Sequence, residues 1–308
     1  MSNVQLGVVI VSWNVRELLA RTLETLFADL DAAATTARVV VVDNASRDGS
    51  PDMVRAQFPR VELIARSDNP GFARGNNVGL RALGFDSAPA APSVRHALLL
   101  NPDTEVQPGA IQTLLDVMES QPGAAIVTPR LAYGDGAFQH SAFHFPGLAQ
   151  LYIDLFPVPG RLYDSRLNGR YPRAWYERGA PFDIDTPLGA VMLLRGEAMR
   201  QVGLFDESFA LYCEEIDWAA RFKEAGWRNL CAPAARLIHH AGRSTAQVKT
   251  EAFVKLWTAR YQLHRKHPQF APLTPARWIV VQGMRRRMQG ASVEMRTACE
   301  QIMRVWTA

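Results

Sequence analysis

Residues 6–14 read LGVVIVSWN, an apolar and β-branched run of strand length that ends in the polar residues Ser12 and Asn14. A helical pattern follows over residues 16–30, with leucines three or four positions apart. A strand that is apolar on both faces is buried on both faces, and a helix behind it returns the chain to start a parallel neighbour. The N-terminus therefore predicts a strand–helix unit of an open α/β sheet.

The same unit recurs along the next hundred residues. Each strand run and the helical pattern behind it occupy, in turn, residues 38–42 and 52–58, 61–65 and 73–83, and 96–100 and 109–118. Ser12, Asp43, Asn69 and Asp103 lie at the ends of the four strands. Parallel strands bring their carboxyl ends to one edge of the sheet, where ligands bind. The first half therefore predicts one polar crevice.

The second half is less regular. Residues 133–185 are rich in glycine, proline and aromatic residues, which is typical of binding loops. The aromatic residues there form either a ligand-binding wall or part of the core: Phe143, Phe145, Tyr152, Tyr163, Trp175 and Tyr176. His140 and His144 are candidates for contact with a ligand bound there. Regular patterns then predict a strand, two helices, two short strands and a long helix at residues 188–194, 196–202, 214–225, 228–231, 236–239 and 247–266.

The composition is that of a soluble globular protein, with 308 residues, 48% hydrophobic and 21% charged. No apolar run approaches the roughly 20 residues that cross a bilayer, and the first residues lack the basic region of a secretory signal. The three cysteines have no CxxC spacing, which indicates reduced thiols. We therefore expect a cytoplasmic protein.

The net charge of +4 is confined to the C-terminus, because residues 271–308 hold six arginines against Glu294 and Glu300. This tail also carries apolar residues: Trp278, Ile279, Val280, Val281, Met284 and Met288. A basic amphipathic segment favours an anionic membrane surface over nucleic acid. The alternative is a docked helix with a solvated arginine face.

Carboxylates stand where nucleotide-binding proteins often have glycine-rich loops. Neither GxGxxG nor a P-loop follows the first strand. Asp103 either faces the crevice or caps a helix, and Glu214, Glu215 and Asp217 crowd the first turn of a predicted helix. Crowded carboxylates raise one another's pKa, which suits a general base. Asp103, a histidine and substrate phosphates would suit Mg²⁺ or Mn²⁺.

Histidines near the C-terminus carry less weight. His264 and His267 lie three positions apart on the predicted long helix, with no third ligand nearby in the sequence. We expect them on an exposed surface rather than at a metal. His239 and His240 end a short strand, where a histidine pair is more often structural than ligating.

Six segments in this order and spacing resemble the family 2 glycosyltransferases, most closely the rhamnosyltransferase-like branch. They are VVIVSWN, VVVVDNASRDGS, NPGFARGNNVG, LLLNPDTEV, GLFDESFALYCEEIDWAARFKEAGW and IHHAGRS, within residues 8–244. The resemblance implies a GT-A fold, in which helices flank a mostly parallel Rossmann-like sheet, with an irregular acceptor-side segment and C-terminal helices. It also implies a nucleotide-sugar donor, a divalent metal (magnesium or manganese) and inversion at the anomeric carbon.

Carried over residue by residue, the resemblance makes Asp43 a contact to the nucleotide base. It makes Asp103 and His239 the metal ligands, and Glu215 the base that deprotonates the acceptor hydroxyl. Asn101 stands at the first position of the DxD-type motif, and Glu215 replaces the usual aspartate. Glu214 and Asp217 would orient the donor sugar or the base. The donor site would further include Ser12, Asn14, Asn44, Arg74, Asn77, Asn101, Gly189 and Ala190.

We therefore predict a catalytic domain over residues 1–245, with a nucleotide-sugar half (1–130) and an acceptor-binding and catalytic half (131–245). A basic, amphipathic helical extension would occupy residues 246–308. The predicted reaction moves a sugar, with dTDP-rhamnose favoured over a UDP-hexose, to a glycan or lipid-linked glycan in cell-surface polysaccharide synthesis. It would take place at the inner face of the cytoplasmic membrane, without nucleic acid.

Two alternatives stay open. A nucleotidyltransferase or nucleotide-sugar-modifying enzyme would also place acids at strand ends, but VSWNVREL is not the glycine-rich, basic loop it would need. A catalytically inactive membrane scaffold of the same fold would explain Asn101 and Glu215. Such a scaffold has no physical need to keep this set together: Asp43, Asp103, Glu215, Asp217 and His239.

Overall fold

The computed structural model describes residues 4–86, 94–241 and 249–308, with side chains from Leu6 onward. Residues 242–244 of the last matched segment, and the predicted start of the long helix at residue 247, lie outside the described residues. No helix among the described residues has the length and apolar character required to cross a bilayer.

The strands found in the described residues are labelled β1 to β12 in chain order. They are Val4–Ser12, Ala37–Asp43, Val61–Ala65, Val94–Leu100, Thr104–Val106, Ala124–Ala132, Phe138–Gln139, Ala142–Phe143, Phe182–Ile184, Thr186–Pro187, Val191–Arg195 and Arg228–His239.

The α-helices are labelled α1 to α11 in the same way. They are Arg16–Ala32, Ser50–Gln57, Phe72–Ala82, Ala110–Ser120, Leu148–Leu155, Arg173–Glu177, Gly196–Val202, Glu214–Glu224, Lys249–Lys266, Leu273–Met288 and Val293–Thr307. Two short 3₁₀ helices occupy Gly160–Leu162 and Arg166–Asn168.

One mixed sheet organises the chain, in the order β3-β2-β1-β4-β11-β6-β12-β5. The strands β3, β2, β1 and β4 are parallel, as the repeated strand–helix units predict. β11 is antiparallel to both of its neighbours and joins this half to the parallel pair β6 and β12. The loops after β1, β2 and β4 therefore open at one edge, beside the loop that precedes β11.

Helices cover both faces of the sheet. Leucines of α1 and α4 pack on one face with Val8, Ile10 and Leu98, while α3, α7 and α8 cover the other face through Leu80, Met199, Trp218 and Phe222. These side chains are almost completely buried. The catalytic helix predicted at residues 214–225 therefore lies across the second face.

The C-terminal helices form a third core with α5. Leu151 and Leu155 of α5 pack with Trp257, Val280 and Trp306. Val280 and Met284 have no exposed surface, whereas Trp278 is 63% exposed. Most apolar side chains of the tail thus pack against the rest of the protein. The arginines at the end of α10 are exposed: Arg285, Arg286 and Arg287.

Several predicted boundaries differ from the structure. α2 begins at Ser50, directly behind Gly49 with its φ of 81°, rather than at residue 52. β6 and α5 were not predicted, and β11 begins at Val191 rather than at residue 188. The two predicted strand pieces are one strand, β12, with a register shift between Ala232 and Arg236. Short elements and strands with register shifts show no clear hydrophobic periodicity, so the sequence does not reveal their bounds.

Candidate active site

Ser12 and Asp43 lie side by side at the open edge, because they are register partners at the ends of β1 and β2. Both are buried, as is Asn44. Ser12 Oγ, Asp43 Oδ1 and Asn44 Oδ1 are buried without a hydrogen-bond partner among the described residues. Buried polar atoms are rarely left in this state, so these three mark a place for a polar ligand or ordered water.

Asn14 ties the loops behind β1 and β2 together. Its backbone has a φ of 52°, a left-handed conformation that asparagine tolerates better than most residues. Its N–H donates to Ser46 Oγ at 2.9 Å, and its Oδ1 accepts from the Arg47 N–H at 2.8 Å. Asp43 Oδ2 accepts from the Ser46 N–H at 2.9 Å. The predicted base-binding residues are therefore held in one set of turns.

Asn77 is placed differently from the donor-site prediction. Its amide donates to Phe205 O at 2.9 Å and to Glu207 Oε1 at 3.0 Å, and its Oδ1 accepts from the Phe205 N–H at 3.1 Å. The side chain has no exposed surface. With both ends of the amide satisfied, Asn77 joins α3 to the loop before α8 instead of facing the crevice. Arg74 is more exposed and pairs with Glu207 at 3.6 Å.

Asp103 and His239 come together because β5, directly after Asp103, pairs with the end of β12. Asp103 Oδ1 lies 3.4 Å from His239 Nε2, and both side chains are only 8% exposed. His239 Nδ1 lies 3.2 Å from Gln139 Oε1. In the tautomer that donates from Nδ1 to Gln139, Nε2 keeps its lone pair for a metal. His240 instead pairs with Glu105 at 2.8 Å.

This pair fits a hard cation that shares its coordination with a substrate. Two ligands of one small octahedral cation are about 3 Å apart, close to the separation of these two atoms. No cluster of three or more His, Cys, Asp or Glu able to hold a metal occurs in the part of the chain that the structure describes. Asp103 and His239 would therefore leave most coordination positions to phosphate oxygens and water.

Glu215 lies against Gly189. A Cβ atom at Gly189 would be 3.6 Å from Glu215 Cγ and 3.7 Å from its Cδ. The Asn101 N–H donates to Ala190 O at 2.8 Å, two residues before Asp103. The Gly189–Ala190 loop is therefore the physical link between the acidic start of α8 and the DxD-type loop.

The chain enters α8 through two left-handed residues. Tyr212 and Cys213 have φ values of 71° and 67°, which is costly for residues that carry a side chain. The next residues, Glu214 and Glu215, are thereby placed at the start of the helix. Burial raises the pKa of both carboxyl groups, to about 7 for Glu215, and the charge of Glu215 further raises the pKa of Glu214. Such a value suits proton transfer near neutral pH.

Asp217 does not share this role, contrary to the prediction. Its carboxylate is fully buried and contacts Arg221 at 2.9 Å, Lys266 at 2.7 Å and His267 at 2.8 Å. Burial alone would raise its pKa, but the hydrogen bonds from His267 and Lys266 and the charge of Arg221 outweigh burial and lower it. Asp217 thus holds the end of α9 against α8. Both of its carboxylate oxygens are engaged in these contacts, so neither is available to orient a donor sugar.

The expectation of an exposed histidine pair at the C-terminus is wrong. His264 and His267 are 1% and 3% exposed. Burial lowers the pKa of His264 to about 4, and neither of its ring nitrogens has a hydrogen-bond partner among the described residues. The sequence could not predict this burial, because Asp217, the acid that His267 contacts, lies 50 positions away in the chain. Gln139 was also missed, since a single glutamine carries no motif.

The predicted aromatic wall divides into core and surface. Tyr176 is buried, and Phe143 and Phe145 are half-buried. The exposed fractions of Tyr152, Tyr163 and Trp175 are 44%, 47% and 37%. His140 pairs with Asp164 at 2.7 Å and His144 with Asp185 at 3.1 Å, so both histidines help to hold the irregular segment.

The sequence model of the family described as Glycosyl transferase family 2 matches residues 7–185, more than half of the chain. The chain belongs to the family 2 glycosyltransferases. The match begins in β1 and ends just before the Gly189–Ala190 loop. The nucleotidyltransferase alternative is thereby set aside.

Curated relatives of this family 2 glycosyltransferase include rhamnosyltransferases. It is 30% identical over 236 residues to an N-acetylglucosaminyl-diphospho-decaprenol L-rhamnosyltransferase of Mycobacterium tuberculosis, covering 73% of this chain and 74% of the relative. It is 26% identical over 186 residues to the rhamnosyltransferase WbbL of Escherichia coli K12, covering 59% and 66%. The resemblance to a rhamnosyltransferase-like branch is confirmed.

Solved structures show the fold of this glycosyltransferase. The mannosyltransferase PcManGT of Pyrobaculum calidifontis, in complex with GDP-Man and Mn²⁺, aligns with a TM-score of 0.56 at 14% identity, over 98% of this chain and 84% of that one. GalNAc-T7, with UDP, GalNAc and Mn²⁺, aligns with a TM-score of 0.53 at 15% identity, over 77% of this chain but only 44% of that one. The predicted GT-A fold is confirmed.

Proposed function

We propose that this glycosyltransferase transfers a sugar from a nucleotide-diphosphate donor to a hydroxyl of a lipid-linked glycan, with inversion. The observation that carries the proposal is the position of Glu215 against Gly189, next to the loop that bears Asp103. A base with a pKa near 7 and a metal-ligand pair would then face one crevice. A single in-line displacement needs both, on opposite sides of the anomeric carbon.

The donor's nucleotide would occupy the edge formed by β1 and β2. Asp43 Oδ1 and Ser12 Oγ are buried polar atoms that lack partners among the described residues, and a base or ribose would supply hydrogen bonds to them. Asn44 holds the neighbouring turn through Asn69 and Gly71. Gly189 leaves room for the sugar between Asn101 and Glu215.

Asp103 and His239 would hold the divalent metal, magnesium or manganese, through Oδ1 and Nε2. When bound, such an ion neutralises charge on the departing diphosphate. Gln139 orients the His239 ring toward it. Both solved relatives named above contain Mn²⁺.

Glu215 would take the proton of the acceptor hydroxyl as that oxygen attacks the anomeric carbon. Glu214 is buried beside it, and its Oε2 has no partner among the described residues. The charge of one carboxylate disfavours ionisation of the other, so the pair holds a proton near neutral pH. Glu215 is half-buried and is therefore the member that a substrate reaches.

The donor we favour is dTDP-rhamnose, because two curated relatives are rhamnosyltransferases. The acceptor we favour is a lipid-linked glycan, because the name of the mycobacterial relative includes a diphospho-decaprenol. Transfer would take place in polysaccharide synthesis at the inner face of the cytoplasmic membrane. The exposed Trp278 and the arginines that end α10 are the part of the tail that would contact anionic lipid.

Calorimetry with a panel of nucleotide sugars tests the function. We expect one of them to bind only with Mn²⁺, and Asp103→Ala to lose that binding. Asp116→Ala, an exposed acid on α4, is the matched control. Product stereochemistry by NMR, after transfer to a diphosphate-linked acceptor, tests inversion. No binding to any nucleotide sugar would favour the inactive scaffold.

Liposome flotation tests the membrane contact separately. Wild type should float with anionic vesicles, and Trp278→Ser combined with Arg285→Gln should reduce the bound fraction. Arg200→Gln, on the exposed end of α7, is the charge-matched control. Equal flotation of all three proteins would contradict a role for α10.

A further inference from the structure

A basic surface borders the crevice on the side of the irregular segment. Residues 160–179 carry five arginines against Asp164 and Glu177. Tyr163, Leu167 and Trp175 from the same stretch expose 47%, 58% and 37% of their surface. Exposed apolar side chains that are grouped and surrounded by polar residues are typical of a contact surface. We call residues 160–179 the arginine loop.

Two guanidinium groups, that of Arg170 within this loop and that of Arg130 beside it, stack over aromatic rings. The Arg170 guanidinium carbon lies 4.4 Å from the centroid of the Phe143 ring, and that of Arg130 lies 5.7 Å from the Phe138 ring. Both arginines are half-buried. Within the described ranges, neither guanidinium forms a hydrogen bond or ion pair. Burial lowers the pKa of Arg170, and the charges of Asp154 and Asp164 only partly offset this effect.

The nearest carboxylates are already engaged. Asp164 binds His140 at 2.7 Å and Arg173 at 2.8 Å. Asp154 binds Arg260 at 2.7 Å. These acids are shared with other cations, so an anion from outside the chain would further neutralise the two half-buried arginines.

A third arginine increases the local positive charge. Arg236 of β12 is the register partner of Arg130 in the neighbouring strand β6. Like charges directly opposite one another in a sheet are destabilising. Arg236 is exposed, and it too forms no ion pair among the residues the structure describes. An anion bound across this pair would convert repulsion into attraction.

The segment that carries these rings runs from the metal pair to the base. Gln139 contacts His239, and Ser141 O accepts from the Leu188 N–H at 2.7 Å, next to Gly189. Phe138 and Gln139 are neighbours on a strand, so their side chains point to opposite faces. The Arg130 guanidinium over Phe138 therefore lies near the crevice but on the other face from Gln139 and the metal pair. The donor's diphosphate would bind at the metal pair.

We propose that Arg130 and Arg170, with Arg236 beside them, bind the diphosphate of a lipid-linked acceptor. Guanidinium groups bind phosphate oxygens in a two-pronged manner, and half-burial strengthens the contact. The lipid chain then leaves over Tyr163, Leu167 and Trp175. This inference rests on the proposed function, since it names the chemistry of its acceptor.

Calorimetry with farnesyl diphosphate, a short polyprenyl diphosphate, tests the proposal on the full chain. The titration is carried out without divalent metal, so that the donor site does not compete. We expect wild type to bind, and Arg130→Gln and Arg170→Gln each to weaken the affinity at least tenfold. Arg200→Gln should bind like wild type. Farnesol, which lacks the phosphates, should bind far more weakly.

Three results would overturn the proposal: equal affinity of wild type and both variants, no binding by wild type, or inorganic pyrophosphate binding as tightly as farnesyl diphosphate. The last result would indicate a site for free phosphate. Circular dichroism, together with Arg170→Lys, which keeps the charge, separates lost binding from lost folding. Nucleotide-sugar binding with Mn²⁺ is measured on the same variants. If it persists while farnesyl diphosphate does not bind, only this inference fails.

Discussion

Asp217 and His267 share a buried hydrogen bond of 2.8 Å between a carboxylate oxygen and Nε2 of the imidazole. Asp217 belongs to α8, which also carries Glu215, whereas His267 directly follows α9. His267 stacks on Phe270 with ring centroids 5.0 Å apart, and Phe270 stacks on Phe145 at 4.5 Å. The C-terminal helices are therefore fixed to the helix that bears Glu215, the proposed base.

Breaking that link should destabilise the whole protein. Asp217→Asn removes the negative charge that Lys266 and His267 face, and loss of one partner from a buried ionic network costs about 3–5 kcal/mol. Chemical denaturation should show a lower midpoint, with Asp116→Asn unchanged as the control. Because the pKa of Asp217 is lowered, its stabilisation is present above the pKa of the unfolded chain and is lost as the pH falls. A variant as stable as wild type at pH 7 would contradict the link.

Replacing Glu215, the proposed base, should remove turnover but not folding. Glu215→Gln should lower kcat by about 10²–10⁴-fold, the usual contribution of a general base. Glu215→Asp keeps a carboxylate of the kind usual in the family and should retain more activity than Gln. Donor binding should be unchanged in both. Full activity in Glu215→Gln would exclude this residue as the base.

The raised pKa of Glu215 predicts opposite pH effects on activity and stability. The base must be ionised, so kcat/KM should rise with pH through about 7. The folded state binds the proton more tightly than the unfolded chain, so stability should fall as the pH rises from about 4.5 to 7. Melting temperatures at pH 5 and pH 8 check this, and Glu215→Gln should show a smaller difference. Identical pH dependence in both proteins would refute the assignment.

Gly189 should tolerate one added carbon but not three. A Cβ atom there makes ordinary contacts with Glu215 at 3.6–3.7 Å, so Gly189→Ala should keep kcat/KM nearly unchanged. Gly189→Val adds two methyl groups that displace the base or the sugar, and misplacement on this scale costs about 10²-fold. Steady-state kinetics on the two variants decides the point. Similar rates would show that Gly189 lies away from the reacting groups.

Gln139 should control metal affinity without touching the metal. Gln139→Leu removes the contact that orients the His239 ring, and loss of such a partner usually weakens metal binding by about 10–100-fold. Titration with Mn²⁺, followed by electron paramagnetic resonance, measures the affinity. Gln112→Leu, on the exposed side of α4, is the control. An unchanged dissociation constant would mean that His239 is not a ligand.

The local sequence was enough to predict the first half of the fold. Runs such as VVVVD are buried on both faces, and the polar residue that ends each strand must leave the core, so local patterns alone place Asp43 and Ser12 at one edge. Glu215 and Asp103 could be singled out because their motifs are contiguous in the chain. The short strands and helices between residues 133 and 185 could not be predicted in this way, because a two-residue strand such as β7 shows no hydrophobic periodicity.

The tertiary structure alone decided which polar residues are free to act. The sequence suggests Asn77 and Asp217 as site residues. In the fold, Asn77 forms hydrogen bonds with Phe205, 128 positions away, and Asp217 with His267, 50 positions away, so their polar groups are already engaged. Arg130 and Arg170 look like ordinary surface arginines, and only folding shows that they are half-buried over aromatic rings. Sequence records the chemical groups of a residue, whereas their availability depends on long-range contacts that the sheet and helices create together.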